Sequence, residues 1–347
     1  MTDGSAAVGS DDVGSDGIEV LSGEWEDLFT KPATGPVEPD LGRAHGDVEL
    51  FGDGGMGGAV YSGTVDISTE GAGSVNVTVG GAGGGGGTGG EVSVDNSGAV
   101  TTTGHYADAI FAQSVGGNGG AGGLSYGGTL SVGTGSSIQP NVEVGGKGGS
   151  GAVAGNVLVA NTSTLATTGG NAHGIFAQSV GGNGGDGGAG YAFIGDFARE
   201  KENYLKVTAN AQVGGFGGSG NHAGTVTISN SGDISTSQDT SYGVFAQSVG
   251  GGGGDGGNAG AYTIGYTLKP ETEADEEAEA KGVSLSYTMG GNGGGGGHGD
   301  TVSVTHETGH TIKTEGVASY AIFAQSVGGS GGVGGNGEPG LEGWLAD

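Results

Sequence analysis

The chain has no cysteine, which excludes disulfides, thiolate metal sites and thiol catalysis. Basic residues are scarce as well: 9 Lys+Arg stand against 38 Asp+Glu, a formal net charge of −29. That balance argues against nucleic acid and anionic membrane as partners, because both are recognised through basic patches. No apolar run approaches the ~18 residues that cross a bilayer as a helix, so no membrane-spanning segment is expected. The opening residues show no basic region followed by an apolar stretch, so no Sec-type signal is read there. Hydrophobic residues are 33%, too few for a thick globular core but enough for a thin one repeated along an axis.

What the chain has instead is glycine, 91 of 347 residues, and the glycine is organised. The phrase Ile110-Phe111-Ala112-Gln113-Ser114-Val115-Gly116-Gly117 returns from Ile175, Val244 and Ile322. Its phenylalanines, Phe111, Phe176, Phe245 and Phe323, are 65, 69 and 78 residues apart. A phrase that returns while the intervening length drifts marks a repeat protein with variable loops. Such arrays bury a core by stacking neighbours and present long surfaces rather than catalytic clefts.

A second phrase alternates with the first. Val79-Gly80-Gly81 leads to Val92-Ser93-Val94-Asp95-Asn96-Ser97-Gly98, and the same order recurs from Val144, Val213 and Met289. Apolar residues at every second position predict half-buried strands, and Asn-Ser-Gly predicts a tight turn. One unit thus reads short strand, glycine arm, alternating strand, turn, FAQSV strand, second glycine arm, connecting hairpin. The fold class expected is all-β, a repetitive parallel β-solenoid (β-helix) with polyglycine-II-like arms. In each FAQSV copy one alternate set should face the core. Glutamines Gln113, Gln178, Gln247 and Gln325, if placed inside, would form a hydrogen-bonded ladder.

Four units fill residues 74–338. Residues 54–73 are read as a capping fragment and residues 339–347 as a C-terminal tail. Residues 1–53 are acidic and expected to be mostly disordered, with one short amphipathic turn or helix around Trp25 and Phe29. The acidic run 270–281 is read as a solvated hairpin tip.

The arms keep a three-residue phase. From Gly181 the chain reads GGN GGD GG, and from Gly328 GGS GGV GGN. A linker needs glycine but no triplet phase, whereas polyproline-II geometry has three residues per turn. Two readings stand: a packed bundle of polyglycine-II helices, or mobile loops. In a bundle, two edges of each arm are bare backbone and the third carries the side chains. Replacing a third-position residue such as Asn183 is then expected to leave stability nearly untouched.

Two motifs carry metal chemistry on paper. His306-Glu307-Thr308-Gly309-His310 matches the zinc-protease pattern, which needs a helix to bring both histidines to one metal. Its flanks are strand formers, so a turn insertion replacing Asn96-Ser97-Gly98 is expected and zinc at His306 and His310 is not. The stretches ending at Asp186 and Asp255 match the start of a calcium nonapeptide, yet Gly188 and Gly257 stand where its apolar residue belongs. Calcium there is a minor reading, and no cofactor is expected.

The phrases Gly174-Ile175-Phe176-Ala177-Gln178-Ser179-Val180-Gly181-Gly182-Asn183-Gly184-Gly185 and Val226-Thr227-Ile228-Ser229-Asn230-Ser231-Gly232-Asp233-Ile234 resemble glycine-rich passenger regions of bacterial autotransporter (type V secretion) proteins. The resemblance covers residues 74–338. It implies a right-handed β-helix, extracellular or displayed at the bacterial cell surface, linked to adhesion or biofilm.

The leading expectation is a non-enzymatic structural or adhesin-like repeat protein that forms filaments or meets cell-surface and matrix partners. The alternative is a ligand-binding module. In it the arms present Asn118, Asn183, Asp186, Asp255, Asn258, Asn292 and Asn336 to glycans, ice or calcium. An enzyme comes third, resting only on His306 to His310.

Overall fold

The computed structural model describes residues 8–9, 54–68, 72–73, 75–133, 136–199, 205–268, 281–338 and 342–346. Apart from Val8–Gly9, the N-terminal segment lies outside the described residues, as do the turn around Trp25 and Phe29 and nearly all of the acidic hairpin tip. The protein is an all-β parallel solenoid, with no helix among the described residues. The repeated phrases stack in strict register: Phe111 on Phe176, Phe176 on Phe245 and Phe245 on Phe323. The four rings are 5.0, 4.8 and 5.1 Å apart.

Each coil has three parts, which we call body, slab and wing. The body is a prism of three four-stranded parallel sheets, begun in the first coil by Val92–Asn96, Val100–Thr102 and Ile110–Val115. Its core is thin: Val157, Val159, Leu165, Ile175 and Ala177 in the second coil are almost fully buried against their counterparts above and below. Each such branched side chain contributes about 1.5–3 kcal/mol of burial. Inside the FAQSV sheet are the isoleucine, alanine and serine; phenylalanine, glutamine and valine face out. The glutamine ladder therefore forms on the outside, with Gln113 donating to Gln178 and Gln178 to Gln247, both at 2.6 Å. It forms there because parallel in-register strands place equal amides about 4.8 Å apart on either face.

The turns of the body repeat as faithfully as its strands. Asn96 donates to the Gly98 carbonyl and to Asn161, which donates in turn to Asn230. At the next corner Thr102, Thr167, Thr236 and Thr314 each donate to the carbonyl five residues on. One residue within that loop is left-handed in every coil: Tyr106, Asn171, Thr240 and Ala318, with φ of 58°, 53°, 52° and 55°. A β-branched residue rarely takes that conformation. Thr240 is held in it by its own N–H, which donates to Val317 of the next coil at 2.9 Å.

The slab is made of the glycine arms, and they are ordered. They lie in two antiparallel columns between body and wing. In the arm 116–124, Gly116, Gly119 and Gly122 donate along their own column to Val180, Asn183 and Asp186 at 2.7–2.8 Å. Gly117, Gly120 and Gly123 donate across to Gly87, Gly84 and Gly81 at 2.7–2.9 Å. Glycine is used here for closeness rather than for left-handed freedom, since Gly309 is the only positive-φ glycine among the described residues. A Cβ on Gly119 would run into the Gly149 carbonyl, and one on Gly120 into that of Gly55. Residues 54–59 form the first arm and Val60–Ser68 the first wing strand, so the capping fragment is a half-coil in register with the rest.

The third position differs from the expectation made of it. Its side chain does face outward, but Asn183 Oδ1 accepts the Gly252 N–H at 2.7 Å, and Asn118 Oδ1 accepts that of Asn183 at 2.9 Å. Asp186, Asp255 and Asn258 do the same for Asp255, Val333 and Asn336. The third N–H of a triplet points neither along the column nor across it, so only a side chain from the preceding coil reaches it. Asn183→Ala should therefore destabilise by about 1 kcal/mol. A urea midpoint equal to the parent's would mean that the stitch adds no energy.

In the wing the connecting hairpin proves to be two facing parallel sheets. Ser125–Gly133, Gly190–Arg199 and Ala259–Leu268 belong to one, and Ser137–Val144, Leu205–Val213 and Lys281–Met289 to the other. A strand whose two edges are taken by the coils above and below has none left for its own return strand. Glu342–Ala346, in the tail, adds parallel to Ala259–Leu268, and Val8–Gly9 pairs antiparallel with Val60–Ser68.

Candidate functional site

The wing inverts the usual polarity of a two-sheet sandwich. Between its sheets lie Ser125, Thr129, Ser131, Gln139, Asn141, Glu143, Asp196, Lys206, Thr208, Asn210 and Gln212, all buried. Its outer faces carry the rings and aliphatics: Tyr126, Phe193, Phe197, Tyr262 and Ile264 on one side, Ile138, Val283, Leu285 and Tyr287 on the other, all exposed. The polar seam is only partly paired. Lys206 Nζ reaches Asp196 across the sheets at 2.6 Å, and the Ser125 hydroxyl donates to Glu143 at 2.8 Å. Gln139, Asn141 and Gln212 have both amide atoms without a protein partner, as has Glu143 Oε1. Every such buried side-chain atom among the described residues lies in this seam.

Burial without a cation pushes the Glu143 carboxyl up to about 7, with the Ser125 hydrogen bond opposing. In the body, burial pushes Asp108 up to about 6, opposed by the hydrogen bond from the His173 N–H. Burial lowers His173, whose Nδ1 accepts the Tyr242 N–H at 3.0 Å. A carboxyl whose folded pKa is raised favours the folded state fully below its unfolded value and loses that stabilisation as pH rises through the folded one. For Glu143 the window runs from 4.5 to about 7. Glu143→Gln should flatten stability across it, gaining roughly 2 kcal/mol on the parent by the upper end. Urea titrations at a series of pH values read this directly. Parallel curves for parent and variant would place the Glu143 carboxyl in water.

The residues singled out in the sequence fall elsewhere. Asn118, Asn183, Asp186, Asp255 and Asn258 lie on the outer edge of one arm column, each with one oxygen engaged by the next coil. Asn292 and Asn336 are exposed in the last coil. Asp186 and Asp255 are neighbours on that edge, and no cluster of three metal-ligating side chains occurs among the described residues. His306 sits in register with Asn230, closing the asparagine ladder through Nδ1 at 2.9 Å while Nε2 faces the His310 carbonyl at 3.1 Å. Both ring nitrogens of His306 are thus occupied, one by Asn230 of the preceding coil and one by its own turn. The His310 ring lies instead toward Asp233, at 3.9 Å.

Sequence reasoning missed three sets of residues. Ser114, Ser179 and Ser248 of the FAQSV phrase each join the roots of two successive arms. Ser114, for example, donates to the Gly90 carbonyl and accepts the Gly155 N–H. Lys206 shares the parity of Thr208 and Glu143 that of Ser137, a signal legible in the text, whereas Asp196 shares its parity with Ala192 and Ile194 and carries no such signal. Tyr126, Tyr191, Phe193 and Tyr262 share the opposite parity and border an outer groove of about 300 Å³.

No family model, curated protein or solved structure matches this chain. No helix among the described residues is long and apolar enough to cross a membrane.

Proposed function

We propose that the chain is a non-enzymatic structural repeat of the adhesin type, acting as a rigid rod outside the cell or on a bacterial surface. The observation that carries this reading is axial repetition. Phenylalanine, glutamine and glycine each recur on one line in every coil, and asparagine in the first three, so the molecule offers periodic faces rather than one unique cleft. The resemblance of its phrases to autotransporter passengers agrees with that role. The arm-borne ligand reading has less support, because the outward oxygens of Asn118, Asn183 and Asp186 are each shared with the next coil.

Beads coated with the purified chain test the proposal. They are expected to cling to one another or to glycan- or matrix-coated surfaces under flow. Beads that do neither would sink the adhesin reading.

A further inference from the structure

We propose that the outer face of the tyrosine-bearing wing sheet is where two copies of this chain pair; the pairing rests on the structural-rod reading and names its partner. The face is built from Val60–Ser68, Ser125–Gly133, Gly190–Arg199 and Ala259–Leu268. Four strands of about nine residues cover roughly 600 Å², at ~4.8 Å between strands and ~3.3 Å per residue. That is the upper end of the largest apolar patch on a typical monomer, patches that are often functional, and it approaches the ~800 Å² that each partner contributes to a standard interface.

Charge points to a second copy. Two chains of net −29 repel wherever their carboxylates face each other. Among the described side chains of these four strands, none that points outward is charged: Tyr61 and Val65, then Tyr126, Leu130 and Val132, then Tyr191, Phe193 and Phe197, then Tyr262 and Ile264. Glu338 stands at the rim, beside the last rung. Here two copies meet without opposing carboxylates, and salt should strengthen the contact by screening the rest.

Relief points the same way. Phe193 is paired with Gly128, and Tyr191 with Gly260, so rings rise beside gaps and border the groove. A two-fold axis would set the partner's Phe193 over Gly128, interleaving ridges and gaps as packed sheets do. Lipid fits less well. The second wing sheet ends on strands Lys281–Met289 and Asn76–Val79, each with one edge unpaired among the described residues. Hydrocarbon does not tolerate open strand edges.

Sedimentation velocity on the full chain, in low and high salt, tests the pairing. A concentration-dependent dimer, tighter in high salt, is expected. Phe193→Glu and, separately, Tyr262→Glu should weaken it at least about tenfold while leaving the thermal melt of the monomer in place. Leu285→Glu, on the opposite face, should leave the dimer intact. The proposal is overturned by a monomeric parent in both salts, by dimers indifferent to both ring variants, by a dimer lost on Leu285→Glu alone, or by a monomer that floats with phosphatidylcholine vesicles. Failure here is separable from failure of the adhesin reading: beads carrying Phe193→Glu would still cling to matrix or glycan if only the pairing is wrong.

Discussion

Gly184→Val should cripple folding. A Cβ at this position would overlap the Gly218 carbonyl carbon and oxygen and crowd Ser219, all backbone atoms of the facing column. Neither side can step away, because Gly184 donates to Gly252 at 2.8 Å and Gly218 donates to Gly185 at 2.7 Å. Overpacking costs 1–3 kcal/mol where a core can relax; a bonded slab with no side chains to re-rotamer should lose more than about 4 kcal/mol. Gly252→Ala is the control. It sits at a third position, where the nearest atom, Asn183 Oδ1, is 3.4 Å from the new methyl, so the melt should hardly move. Hydrogen exchange adds a second reading, since arm amides in the parent should be strongly protected. If Gly184→Val melts like the parent and the arm amides exchange freely, the arms are loops.

The second large effect is expected at the buried ion pair of the wing. Lys206→Met leaves the Asp196 carboxylate, 1% exposed, with no cation beside it and with Oδ2 already lacking a partner. Removing one member of a buried pair typically costs about 3–5 kcal/mol, while replacing both by apolar residues of similar volume is close to neutral. Lys206→Met should therefore lower the urea midpoint sharply, and adding Asp196→Leu should recover most of the loss. Equal midpoints for the parent and the single variant would show that water reaches the pair.

Much of the architecture was legible because it is written in repeats. The equivalence of Phe111, Phe176, Phe245 and Phe323 and the triplet phase of the arms can be counted in the text, but the phase left an ordered bundle and mobile loops both open, and the stacked arms decide for order. The wing was legible only in part. Alternation in Tyr262–Thr263–Ile264 defines two faces, but period two alone does not say which is inside. The habit of placing apolar residues in the core would have inverted the wing. What sets its true sense is long-range: the columns of the slab deliver each strand to the wing already oriented, and no local signal in the strand records that. The stitching role of Asn183 was hidden for a similar reason. Its partner, the Gly252 N–H, is a whole coil away, and only the stacked arms show that this donor lacks a backbone acceptor.

The slab also insulates. Body and wing are joined in every coil through the glycine-rich arms, whose backbone presents the same carbonyls and amides whatever lies on either side. A change of length in the wing therefore has no shape to transmit to the body. Successive coils accordingly span 65, 69 and 78 residues between equivalent glutamines, while the body strands keep a one-to-one register throughout. A lineage carrying this chain can lengthen or recharge its wing tips coil by coil, and the core will not register the difference.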